Sequence, residues 1–141
     1  MNCTSTGDRR KPESGPAYVH HPSFESTPED QWMKPVQRDP EAGHLNEEQT
    51  RLLAQAMHYA AWRADCSRTE IQREHWTAKY FQLRDEIILG NQKLVYRAVH
   101  RWRPSIRYQD EMIGACHLIF IQTVAAYNPW IGVRFSTYAF T

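Results

Sequence analysis

Long hydrophobic runs are missing from this 141-residue chain, and no apolar stretch is long enough to cross a bilayer as a helix. The N-terminus has no hydrophobic signal core either, so a soluble protein is expected, with no membrane partner. Cysteine is scarce: Cys3, Cys66 and Cys116 are odd in number and far apart. Neither Cys-x-x-Cys nor a Cys/His ligand spacing occurs, so neither a disulfide framework nor a zinc site is suggested. A reducing cytoplasm is the natural compartment for such a chain. An excess of one charge is lacking too, with 17 Lys+Arg against 16 Asp+Glu. The bias is only positional: residues 1–83 carry 10 basic against 12 acidic groups, and residues 84–141 carry 7 against 4. A mildly basic C-terminal part is compatible with nucleic acid without demanding it. Also absent are a glycine-rich phosphate loop and a nucleophile–base pair. His58, His75, His100 and His117 lie scattered along helical stretches, which makes an enzyme the poorest reading, with no cofactor or metal expected.

What is present is helical pattern, and it begins late. Residues 1–44 carry six of the eight prolines and no periodic apolar face, so they read as a disordered tail. His20-His21 within that tail reads as a solvated pair, and Trp32 and Met33 as side chains that dock on the folded part or serve as a short binding motif. The first helix spans 45–66. Asn46 is a good N-cap with Gln49 at the capping-box position, and Leu52, Leu53, Ala56, Met57, Ala60 and Ala61 form its stripe. Ser67 to Glu70 has the capping-box spacing for a second helix over 67–103. Its face runs through Trp76, Tyr80, Leu83, Ile87, Leu94 and Ala98, and Pro104 stops it. Gly90 can mark a break, so two helices meeting there is the alternative. Arg97, Arg101, Arg103 and Arg107 cluster near the end of this stretch, either as a solvated face or as phosphate contacts.

The final stretch is the most informative. From Met112 through Ile113, Cys116, Ile119, Phe120 and Val124 to Tyr127, an apolar face repeats at three- and four-residue spacing over 108–127. Asn128 and Pro129 end that helix, and Gly132 suits a tight turn. Asp110 and Glu111 favour its positive end. Arg134-Phe135-Ser136-Thr137-Tyr138-Ala139 follows over 133–141, with Ser136 as the expected N-cap of another helix. A cation beside aromatics at a helix entrance suits a nucleic-acid strand, because guanidinium pairs with phosphate and a ring stacks on an unpaired base. The fold class expected is all-α.

From Glu111 to Ala139 the chain resembles, without a gap, the second conserved region of housekeeping bacterial RNA polymerase sigma factors. That region runs from an acidic helix start to an aromatic, an Asp/Asn-Pro turn, a glycine, a basic residue and Phe-Ser-Thr-Tyr-Ala. Asn91-Gln92-Lys93-Leu94-Val95 is similar to the family's Asn-Leu-Arg-Leu-Val, and Leu45 to Trp62 is weakly similar to the preceding conserved helix. The resemblance implies a bundle of three to four helices behind the disordered tail. It also implies that the 108–127 helix binds a coiled coil of the largest subunit of RNA polymerase core, through Asp110, Glu111, His117 and Ile121. It implies promoter DNA contacts by Asn91, Lys93, Leu94, Arg134, Phe135, Ser136 and Tyr138. Asn91, Leu94 and Ser136 would form a pocket for one flipped base. Two departures matter. The family has Gln-Glu-Gly where this chain has Gly114-Ala115-Cys116, which removes polar contacts to the core. The family also continues past Tyr-Ala into a sequence-reading helix, so a truncated sigma-like protein with weak DNA binding of its own is expected. An all-α protein-interaction module without a transcription role is the alternative.

Overall fold

The computed structural model describes residues 9–12, 15–37, 41, 43–102 and 106–140, and these form a mostly helical, all-α fold. Its central element is α3, Glu47–Asp65. The Asn46 Oδ1 accepts the Gln49 N–H at 2.8 Å and Gln49 Oε1 accepts the Asn46 N–H at 2.8 Å. This reciprocal cap satisfies two backbone donors that a helix start otherwise leaves open. Leu53, Met57, Tyr59, Ala60, Ala61 and Trp62 are all buried, so α3 is enclosed on most sides. Its alanines let α4, Glu70–Gly90, pack along it, with Trp76, Tyr80, Leu83 and Ile87 on the inner face. The cap of α4 is Thr69, which accepts the Gln72 N–H at 3.2 Å. Ser67 does not open this helix; its hydroxyl donates to the Arg63 carbonyl at 2.7 Å and so finishes α3.

Of the two arrangements open for 67–103, the structure has a pair of helices. α5 spans Gln92–Trp102, and Asn91 is the joint. A close approach explains the glycine just before it. The Leu45 N–H donates to the Gly90 carbonyl at 2.8 Å, and a Cβ on Gly90 would lie 2.3 Å from Leu45 Cγ and Cδ1. A single 3-10 turn, Ile106–Tyr108, leads into α6, Gln109–Ala126, which packs against α5. Phe120 and Val124 are buried along with Leu94 and Val95, while Ile113 and Ala98 are only half-buried. After the turn at Asn128–Val133, where Gly132 takes φ +80, comes the short α7, Phe135–Ala139. Arg103, Pro104 and Thr141 lie outside the described residues.

The expectation of a disordered tail fails over the described part of 1–44. β1, Arg9–Arg10, pairs antiparallel with β2, Tyr18–Val19, and two single-turn helices follow, α1 at Ser23–Ser26 and α2 at Glu29–Trp32. Tyr18 is 0% exposed and Phe24 2%. Burial of aromatic rings, rather than periodic patterning, holds this segment down. Phe24 meets Tyr59, Trp62 and Trp130 at ring distances of 5.5, 5.4 and 5.5 Å, and Trp32 stacks on Tyr59 at 5.6 Å. Arg63 reinforces the seam, lying 4.6 Å over the Trp76 ring and 3.2 Å from Glu29. The Tyr18 hydroxyl donates to Asp65 at 2.5 Å; burial, then that carboxylate, raises its pKa. Cys116 is a free thiol. Among the described residues, no helix is long and apolar enough to cross a membrane.

The Leu45–Gly90 contact has a measurable consequence. Gly90→Ala should destabilise the fold, because overpacking of about 1–3 kcal/mol outweighs a helix-propensity gain of about 1 kcal/mol. Chemical denaturation should show a smaller combined loss for Gly90→Ala with Leu45→Ala than the two single losses added. A neutral or stabilising Gly90→Ala would mean that Leu45 yields freely.

Candidate functional site

Two faces of the C-terminal helices carry the expected contact residues. The first belongs to α6. Its sequence is apolar on nearly every side, so packing one side against α5 leaves apolar groups in water on the other. Leu118 is 67% exposed and Ile119 63%. Glu111 and Leu118 are seven residues apart and share the outermost line of the helix with Gly114 and Gln122, all exposed. Asp110 is exposed in the first turn, as is Glu111. His117 and Ile121 are half-buried on the flank, the His117 ring 6.3 Å from that of Tyr96. Ile119, expected on the buried face, is a correction. Leu118 was not among the expected contacts; the absence of any polar side on this helix was the signal for it.

The second face surrounds α7, and there the expectations need more revision. Ser136 is not its N-cap. That position belongs to Arg134, and the Glu47 carboxylate on α3 accepts the Phe135 N–H at 2.9 Å and the Ser136 N–H at 3.3 Å. The Arg134 guanidinium sits 3.8 Å from the same carboxylate with its side chain 71% exposed. Phe135 is 1% exposed, with its ring 5.1 Å from Tyr127 and 5.8 Å from Phe120. It is a core residue and offers no surface for a base to stack on. Tyr138 is half-buried, 5.5 Å from the Tyr127 ring.

The three residues expected to form a base pocket are not brought together as one. The Asn91 side-chain amide donates to Thr50 Oγ1 at 3.1 Å and to the Ile87 carbonyl at 2.9 Å, in a buried position that ties α4 to α3. Leu94 is buried and lines an apolar groove of about 110 Å³ with Val95, Cys116, Ile119, Phe120 and Phe140. Ser136 instead shares a shallow cleft of about 440 Å³ with Arg97, Arg101, Thr137 and Phe140. Lys93, Arg97 and Arg101 are all exposed and four residues apart, so they form one basic stripe along α5. Arg97 and Arg101 were legible as a basic cluster, but their approach to α7 was not.

Behind α7 stands a buried relay. His58 is 0% exposed; its Nδ1 accepts the Val19 N–H at 3.0 Å. Its Nε2 lies 2.6 Å from the Tyr127 carbonyl, so the neutral ring carries its proton there and donates it. The Tyr127 hydroxyl in turn donates to the Val133 carbonyl at 2.7 Å. Among the described residues no group of three or more His, Cys, Asp or Glu side chains is arranged to hold a metal ion. No family model matches the chain, and no curated protein or solved structure is similar to it.

Burial, with a small contribution from Arg9, pushes the His58 pKa from 6.5 down to about 4, against the opposing pull of the Tyr127 carbonyl. The folded state therefore resists a proton that the unfolded chain accepts. Its contribution is full above about pH 6.5 and is lost as pH falls toward 4, on the order of 3 kcal/mol in all. The His58 ring resonances should stay flat from pH 7.5 to about 5 in an NMR titration, and His58→Gln should flatten the acid limb of the stability curve. A ring titrating near its ordinary value would place His58 in contact with water.

Proposed function

We propose that this chain is a sigma-factor-like protein of transcription initiation, acting in the cytoplasm, in which α6 docks on RNA polymerase core. The observation that carries this reading is the outer line of α6. The helix that resembles the family's core-binding helix is the one with an acidic first turn and uncovered Leu118 and Ile119. An exposed apolar pair beside carboxylates suits a protein groove, where a few desolvated anchors supply most of the binding energy. For DNA, the supporting groups are Arg134 and the α5 stripe of Lys93, Arg97 and Arg101, of which Arg97 and Arg101 line the Ser136–Thr137–Phe140 cleft. These are phosphate-contacting groups, so affinity for a single strand is weak and falls with salt. The alternative, an all-α interaction module without a transcription role, is favoured by the internal commitment of Asn91 and Phe135, which takes away two of the expected base-contacting groups.

Purified core polymerase separates the two. The 141-residue chain should be retained by core, and Leu118→Asp and Glu111→Lys should each weaken retention about tenfold or more, roughly 1.4 kcal/mol. Both positions are exposed, so helical circular dichroism should be unchanged. A folded wild-type chain that core does not retain would favour the interaction module.

A further inference from the structure

The segment 15–37 does more than cover the aromatic face of α3. Its contacts converge on the α6–α7 loop. The His21 ring stacks on Trp130 at 4.7 Å with an interplanar angle of 18°, and Phe24 meets the same indole at 5.5 Å. Trp32 approaches it at 6.3 Å, so α1, α2 and the turn before them all grip one loop residue. A second line of contact is polar. It runs from the Val19 N–H through the His58 ring to the Tyr127 carbonyl, where α6 ends. Tyr127 passes it on, through its hydroxyl to Val133 and through its ring to Phe135 and Tyr138 of α7.

α7 has one anchor of its own, the buried Phe135 ring, and little regular structure. It is five residues long, far below the length at which a helix sustains itself, and its own N-cap side chain makes no capping bond. Its place is set from outside, by Glu47 at its start and by Tyr127 beneath it. The segment 15–37 is itself seated by a few buried rings, Tyr18 and Phe24 among them, rather than by regular structure. Its regular structure amounts to one two-residue strand and two single turns, and beside Trp32–Val36 there is a cavity of about 430 Å³ against Leu53, Ala56 and Leu83. Segments of this kind open as cooperative units and carry coupled neighbours with them.

We propose that residues 15–37 form a strap whose grip on Trp130 and, through His58, on Tyr127 locks the α6–α7 loop and α7, so that lifting the strap releases α7. The loop and α7 then behave as one unit with the N-terminal segment, and α4 and α5 do not. A ligand that competes for the Phe24 site frees the α7 face, and a ligand that holds α7 tightens the strap, since coupling between two sites is reciprocal. This coupling stands whether or not the nucleic-acid reading of α7 holds.

Hydrogen exchange on the full chain tests it. Phe24→Ala should accelerate exchange about tenfold or more in residues 15–37 and also in 128–139. In α4 and α5 it should leave rates close to wild type. Ile87→Ala, a core substitution within α4, serves as the control for general loosening. His21→Ala removes only the half-buried ring stacked on Trp130, and should give the same regional pattern with a smaller change. If Phe24→Ala fails to fold, the His21→Ala pattern decides. Acceleration confined to 15–37, or a uniform rise matching that of Ile87→Ala, would overturn the strap.

Discussion

The structure depends on a pair of hydrogen bonds made by one enclosed imidazole. His58 accepts a hydrogen bond from the Val19 N–H and donates one to the Tyr127 carbonyl, joining the N-terminal segment, the central helix and the end of α6 at a single point. A buried ring with both nitrogens satisfied costs little to desolvate while neutral, and a great deal once charged. Around it the aromatic rings of Phe24, Trp32, Tyr59, Trp62 and Trp130 close the seam. The basic and acidic groups of the chain play a smaller part. Glu48–Arg51 and Arg73–Glu70 are exposed pairs within single helices, of the kind that contribute a few tenths of a kcal/mol.

Where local chemistry decides, the sequence was readable. Asn46 and Gln49 form the expected capping box, and Trp76, Tyr80, Leu83 and Ile87 line the expected face of α4. Phe120 and Val124 are buried near Leu94 and Val95, as the apolar spacing indicated. Where distant residues decide, it was not. Tyr18, Phe24 and Trp32 follow no period, and their ordering comes from rings on α3 and at Trp130. Ser136 looked like a cap because nothing local shows that Glu47, 88 and 89 residues earlier in the chain, supplies the acceptor for Phe135 and Ser136.

The same distinction runs through the candidate site. The acidic start of α6 and the arginines of α5 were legible as residue types. That Leu118 and Ile119 face water was not, since both are as apolar as the buried residues beside them. Asn91 reads as a base-binding amide by resemblance, yet its protons go to Thr50 and Ile87, holding the joint between α4 and α5. The exposed Leu118 and Ile119, together with Glu111, are therefore the firmest basis for a partner, and the basic stripe of α5 is secondary to them.

That ordering can be tested by placing a photoreactive amino acid at position 118 of α6 and, separately, at position 71 of α4, where Ile71 is 81% exposed. Irradiation in the presence of RNA polymerase core should crosslink position 118 to the largest subunit and leave position 71 free. Equal labelling from both positions, or none from 118 in a folded protein, would contradict α6 as the docking helix.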